Sequence, residues 1–155
     1  MTVPAAPGPD REPTRSDAGS AALELVVLAP VLLAVIALVI AAGRVSIAQS
    51  SVDAAARDAA RQASIAFTPE AAKAAGRASA EQALAGDGLS CVSEIVNVNT
   101  GGPDSGFQVP AGTPATVSAT VGCKVPLSDL YLPGTPGSHW LWSTFYSPLD
   151  VYRAR

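Results

Sequence analysis

Four kinds of hydrophobic patterning follow one another along the chain. Residues 1–19, MTVPAAPGPDREPTRSDAG, hold four prolines and no apolar period. No core can be built from them, and they read as a disordered leader. From Leu25 to Gly43 run nineteen residues without a charge. About 20 such residues cross a hydrocarbon core of roughly 30 Å. The competing reading is a buried helix of a globular core. The run is apolar on every side, however, and the remaining chain is too short to surround it. The pattern predicts a transmembrane helix over 20–43. Pro30 removes the hydrogen bond to the Val26 carbonyl and is expected to kink that helix.

Between 44 and 85 the chain becomes alanine-rich: sixteen of its thirty alanines lie from Ala48 to Ala85. No proline occurs from Val31 to Thr68, so the membrane helix is expected to run on into water as a stalk, from about Ala21 to Phe67. Val45, Ala48, Val52, Ala55, Ala56, Ala59, Ala63 and Ala66 recur at helical spacing. They form a small-residue stripe. Asp53, Arg57, Asp58 and Arg61 oppose it and read as a solvated face with i,i+4 ion pairs. Thr68-Pro69-Glu70 starts a second, shorter helix, as a cap, a first-turn proline and a first-turn acid. Gly86-Asp87-Gly88 should end it.

Residues 86–155 change character. Nine of thirteen glycines and seven of thirteen prolines fall here, among β-branched runs. Thr116 to Val125 alternates, with Val117, Ala119, Val121, Cys123 and Val125 on one side. That is a half-buried strand. Cys91 to Val98 and His139 to Tyr146 are two further candidates. The fold class is therefore α+β and membrane-anchored: a long helix, a short one, and a small antiparallel sheet of about three strands. If the first two strands pair about a loop centred near Phe107, Cys91 and Cys123 face each other and can form a disulfide. A staple suits a region whose core is small, and it implies an oxidising compartment. Free buried thiols are the alternative. Trp140, Trp142, Phe145 and Tyr146 are expected to pack against the helix as core.

Composition adds mainly exclusions. The net charge is −3, charged residues are 15%, and mean hydropathy is +0.29. A nucleic-acid partner is not expected, since no basic face is available to neutralise phosphates. Two cysteines and one histidine cannot complete a structural zinc site, so no metal and no cofactor are expected. His139 stands without a nucleophile motif and reads as a strand-edge residue. No catalytic constellation is visible, so the chain is not expected to be an enzyme or to take a small-molecule substrate.

One motif carries the functional reading. Gly19-Ser20-Ala21-Ala22-Leu23-Glu24 stands directly before the apolar run. An acid at the head of a membrane span is costly unless it lies at the interface or finds a partner. The pattern resembles the prepilin-peptidase site of type IV pilin-like proteins. More narrowly, GSAALELVVLAPVLLAVIALVIAAGRV resembles the TadE family, the minor pseudopilins of Flp-type tight-adherence pili. The strand end Cys-Lys-Val-Pro-Leu and the terminal Ser-Pro-Leu-Asp-Val-Tyr-Arg look like actinobacterial members. The major Flp pilins favour Tyr after the Glu; this chain has Leu25, which argues against a major pilin.

The resemblance implies cleavage between Gly19 and Ser20 by prepilin peptidase. It implies a role for Glu24 in recognition and assembly, by pairing with the freed amine of a neighbouring subunit. It also implies other pilins and the tight-adherence machinery as partners. Ala34, Ala37, Ala41 and Ala42 would let helices pack closely in lipid. Arg11 and Arg15 before the span balance Arg44 and Arg57 after it, so charge does not decide orientation. The motif and the cysteines point to a cytoplasmic N-terminus and an extracytoplasmic C-terminal domain. Two alternatives stand beside this reading. One is a signal-anchored binding module that never polymerises. The other is a secreted domain released by cleavage after Ala48.

Overall fold

The structure is a computed structural model. It describes residues 16–101, 107–110, 112–130, 136–150 and 152, with side chains from residue 24 onward. The elements are α1 (Ser16–Ser64), α2 (Pro69–Gly86), β1 (Ser93–Asn99), β2 (Thr116–Pro126), α3 (Leu127–Leu130) and β3 (Ser138–Pro148). The α+β architecture expected from the sequence is present. The chain divides into two compact units, residues 1–37 and residues 38–155.

In the first unit the described residues are one continuous helix, the start of α1. It begins at Ser16, about five residues before the expected start. The last four residues assigned to the leader are therefore helical. Ser16-Asp17-Ala18 supplies residue types that open helices. The rest of the leader, residues 1–15, lies outside the described residues. Helical backbone continues through Pro30.

The second unit packs the remainder of α1, together with α2, on one face of an antiparallel sheet of order β1-β2-β3. Ala48, Val52, Ala55, Ala56, Ala59, Ala60 and Ala63 of α1 are buried. Of the expected stripe Val45 is only half-buried, as is Ala66, which lies beyond the end of α1, and Ala60 joins the buried set. Helix α1 stops at Ser64, three residues early, where the Ser64 hydroxyl donates to the Arg61 carbonyl at 2.8 Å. Thr68 caps α2 as expected, its Oγ1 accepting from the Ala71 N–H at 3.2 Å. Ala72, Gly76, Ala80 and Leu84 form the buried face of α2, one residue per turn. The helix closes at Gly86, and the Leu89 N–H donates back to the Leu84 carbonyl at 3.1 Å.

Small side chains let the backbones approach closely. A Cβ built on Gly76 would lie 2.7 Å from Val98 Cγ2 and 3.1 Å from the Ala59 carbonyl oxygen. Gly76 is thus where α1, α2 and β1 meet, and any larger residue must displace one of them.

Strand β2 is the centre of the sheet, and its Val117, Ala119, Val121, Cys123 and Val125 are buried under the helices, as the alternation predicts. Strand β1 differs from expectation in its start and its register. The ladder begins at Ser93, and Glu94, not Cys91, stands opposite Cys123. The pairing is centred between residues 108 and 109 rather than at Phe107. Cys91 lies two residues before the ladder, held by the Val92 N–H donating to the Lys124 carbonyl at 2.8 Å. The disulfide nevertheless forms, with Cys91 and Cys123 Cα atoms 5.4 Å apart. It ties the entry of β1 to the middle of β2.

Strand β3 carries a second correction. Leu141, Phe145 and Ser147 alternate toward the helices, so only Phe145 of the four aromatics packs inward, beneath the Arg57 guanidinium at 5.8 Å. Trp140, Trp142 and Tyr146 occupy the outer face. A period of two cannot place residues 140, 142 and 145 on one side of a strand. Trp142 lies across Gly122 on β2, where an added Cβ would run into its ring. Trp140 stacks on Trp142 with ring centroids 5.0 Å apart.

Candidate functional site: the N-terminal apolar helix

The site inferred from the sequence lies on α1, and the sequence accounts for its form. A proline-poor run of aliphatic and alanine residues has no reason to break between 31 and 64. Apart from the Val26 carbonyl, which Pro30 has no N–H to serve, helical backbone hydrogen bonds are satisfied inside the segment, the condition for crossing lipid. The apolar stretch is bare. From Leu25 to Ile40 every side chain is exposed except the half-buried Ala37, and Leu25, Val26 and Leu38 keep about 70% of their surface. A helix belonging to a soluble core would bury these residues. Leaving so much contiguous aliphatic surface in water is untenable, since soluble proteins rarely expose patches beyond a few hundred Å². Within its described length, α1 is therefore apolar enough and long enough to span a membrane.

The sequence-predicted residues fall along this helix in order. The Gly19–Ser20 peptide lies within helical backbone, and the side chains there lie outside those described. Ser20 and Glu24 are four residues apart on a helix, so they share a face one turn apart. Glu24 is exposed and, among the described residues, has neither an ion-pair nor a hydrogen-bond partner. Pro30 sits inside the helix. Of the small residues noted there, Ala34 and Ala42 are exposed, Ala37 is half-buried and Ala41 is buried. The cysteines are bonded to each other in the second unit.

The charged face beyond the span is built differently from expectation. Asp53 accepts a hydrogen bond from Gln49 Nε2 at 3.1 Å, and Arg57 lies over Phe145. Among the described residues the only ion pair is Arg77–Glu81 at 3.6 Å, on the exposed face of α2. Asp53 thus takes a helical neighbour, Gln49, in place of Arg57, while Arg57 turns to a side chain that the sheet supplies. The same Gln49 Nε2 reaches the Trp142 carbonyl at 3.0 Å, and the Ser147 hydroxyl donates to Ser64 Oγ at 3.1 Å. Together with Arg57 and Phe145, these contacts lay α1 along β3. None of the three was signalled by spacing, because each joins residues more than eighty positions apart.

His139 is exposed on β3, an edge strand. Among the described residues no three His, Cys, Asp or Glu side chains converge as a metal site would require.

No curated protein and no solved structure matches the chain. The family described as TadE-like protein matches residues 19–61, beginning at the glycine of the motif and ending within the buried alanine stripe. The apolar helix, its leading Gly19 and Glu24, and the first turns of its alanine-rich continuation are thus a TadE-like segment.

Proposed function

We propose that the chain is a membrane-held minor pseudopilin of a tight-adherence pilus, acting by assembly rather than catalysis. The observation that carries this reading is the coincidence of two boundaries. The TadE-like match begins at Gly19, and the bare apolar helix follows five residues later, with Glu24 at its head. In this reading α1 anchors the chain, with the N-terminus cytoplasmic and the disulfide-stapled body outside. Prepilin peptidase cuts between Gly19 and Ser20, leaving a free amine on Ser20.

A carboxylate in a low-dielectric setting is tolerable when paired. Glu24 then pairs with the Ser20 amine of a neighbouring subunit and fixes axial register. Other pilins and the assembly machinery are the partners. The test is the intact mass and N-terminal residue of the protein from its native membrane, together with piliation of Glu24→Ala. A membrane form beginning at Ser20, with insertion intact and filaments lost in Glu24→Ala, is the expected result. A retained leader together with normal piliation in that variant would sink the reading.

A second reading, a signal-anchored binding module, is favoured by one feature. The outer sheet face leaves Trp142 and Tyr146 47% and 65% exposed, and aromatics on a sheet face are enriched at protein interfaces. It predicts that Glu24→Leu retains full function.

A further inference from the structure

Arg44 is the first charge after the apolar run, and it lines a cleft of about 440 Å³ in the second unit. Asp87, just past the end of α2, and Asp129 of α3 line the same cleft, with Ser51 of α1 on its wall and Val125 and Leu130 among its apolar residues. These charges do not neutralise one another. Among the described residues Arg44 and Asp87 make no ion pair, and Asp129 has only a hydrogen bond from its neighbour Ser128 at 3.3 Å. One cation and two anions therefore line a single opening with their charges unspent.

The position of the cleft along α1 matters as much as its charges. Its α1 wall runs from Arg44 to Ser51, a rise of roughly 10 Å at 1.5 Å per residue, starting where the uncharged run stops. The polar layer on each side of a bilayer is roughly 5–8 Å deep. If α1 spans the membrane, as the function proposed above requires, the cleft opens at the level of the headgroups.

We propose that this cleft binds the headgroup of a zwitterionic aminophospholipid, with its phosphate on Arg44 and its primary ammonium on Asp87 and Asp129. The charge pattern selects that chemistry. A guanidinium suits a phosphate, and a primary ammonium offers three N–H donors to carboxylates. A phosphatidylglycerol headgroup brings no cation to the two acids. A choline headgroup brings a cation with no N–H to donate. The bound lipid holds the body against the membrane surface beside the root of its own helix.

The test uses the full chain in detergent, offered equal amounts of phosphatidylethanolamine, phosphatidylcholine and phosphatidylglycerol, with bound lipid counted by native mass spectrometry. Phosphatidylethanolamine adducts should exceed each of the others about five- to tenfold, since each water-accessible charged contact contributes a few-fold. The preference should vanish in Arg44→Gln and in the double variant Asp87→Asn/Asp129→Asn. All three positions are exposed, so the fold should survive, and near-UV circular dichroism checks it. If a variant fails to fold, the wild-type competition decides alone.

Equal retention of the three lipids, or a preference for phosphatidylglycerol, overturns the proposal. So does loss of the preference on adding a chelator, which would mean a bridging metal ion. Water-soluble glycerophosphoethanolamine that binds as tightly as the lipid itself would show a soluble ligand instead of a lipid. Liposome flotation at alkaline pH separates this inference from the one beneath it. A chain that does not float refutes the membrane anchor, whereas one that floats without lipid preference refutes only the cleft.

Discussion

Replacing Gly76 by alanine sets two known effects against each other, and the structure decides the sign. In a helix interior the change should stabilise by about 1 kcal/mol, because alanine loses less backbone entropy. Against this, the new Cβ would stand 2.7 Å from Val98 Cγ2 and 3.1 Å from the Ala59 carbonyl oxygen. Ordinary carbon–carbon contacts lie near 3.5–4.0 Å, so the overlap with Val98 is roughly 1 Å. Val98 is buried and sits in a paired strand, and a β-branched side chain has few rotamers to retreat into. The Ala59 carbonyl belongs to helix backbone and gives even less. Overpacking of this kind costs about 1–3 kcal/mol.

The net expectation for Gly76→Ala is destabilisation by about 1 kcal/mol, a fall in midpoint of roughly 5 °C for a domain of this size. Thermal unfolding of the full chain in detergent, followed by near-UV circular dichroism, measures it. Gly43→Ala is the control, because nothing lies within 4 Å of its added Cβ, and it should not lower the midpoint. Combining Gly76→Ala with Val98→Ala should cost less than the two changes summed, by about 1 kcal/mol. A midpoint at or above wild type for Gly76→Ala, or strict additivity in the pair, would refute the tight junction of α1, α2 and β1.

The remaining expectations concern single features of the second unit. Replacing both Cys91 and Cys123 by alanine removes a crosslink closing 32 residues of chain and should cost about 2–4 kcal/mol in chemical denaturation; an unchanged midpoint would mean that the sheet holds its register without the bond. Thr68→Ala removes the side-chain cap from Ala71 and should cost about 1 kcal/mol, read in the same titration. Gly122→Ala pushes the Trp142 ring off the sheet; because that ring is half-exposed and can move, the stability cost should be smaller than at Gly76, but the near-UV signal of the Trp140–Trp142 stack should fall. An intact stack in that variant would contradict the close approach at Gly122.

Much of this molecule is legible without tertiary information, wherever a property is local or periodic. The nineteen uncharged residues after Glu24, the Thr68-Pro69 start, the stop at Gly86-Asp87-Gly88 and the alternation from Thr116 to Val125 each define an element by itself. The small-residue stripe on α1 and the inward face of β2 are set by the periods of 3.6 and 2, so their burial follows from spacing. The Gly19–Glu24 motif is likewise a matter of sequence spacing, and the family match begins there.

Pairings between distant segments were decided only in the folded chain. A symmetric loop would set the two cysteines opposite each other, yet the ladder runs in another register, and Cys91 makes the bond from outside it. A disulfide tolerates this because it requires proximity of two Cα atoms, not opposition in a ladder. Arg57 lies over Phe145, and Gln49, besides its helical neighbour Asp53, reaches the Trp142 carbonyl, because the folded sheet brings these partners within range. Gly76 and Gly122 read as ordinary glycines until packing set a helix backbone and a strand methyl against one and an indole ring against the other. Local chemistry fixes which elements form and which faces they bury; long-range packing alone fixes which atoms those faces meet, because contact across the core depends on the placement of every element at once.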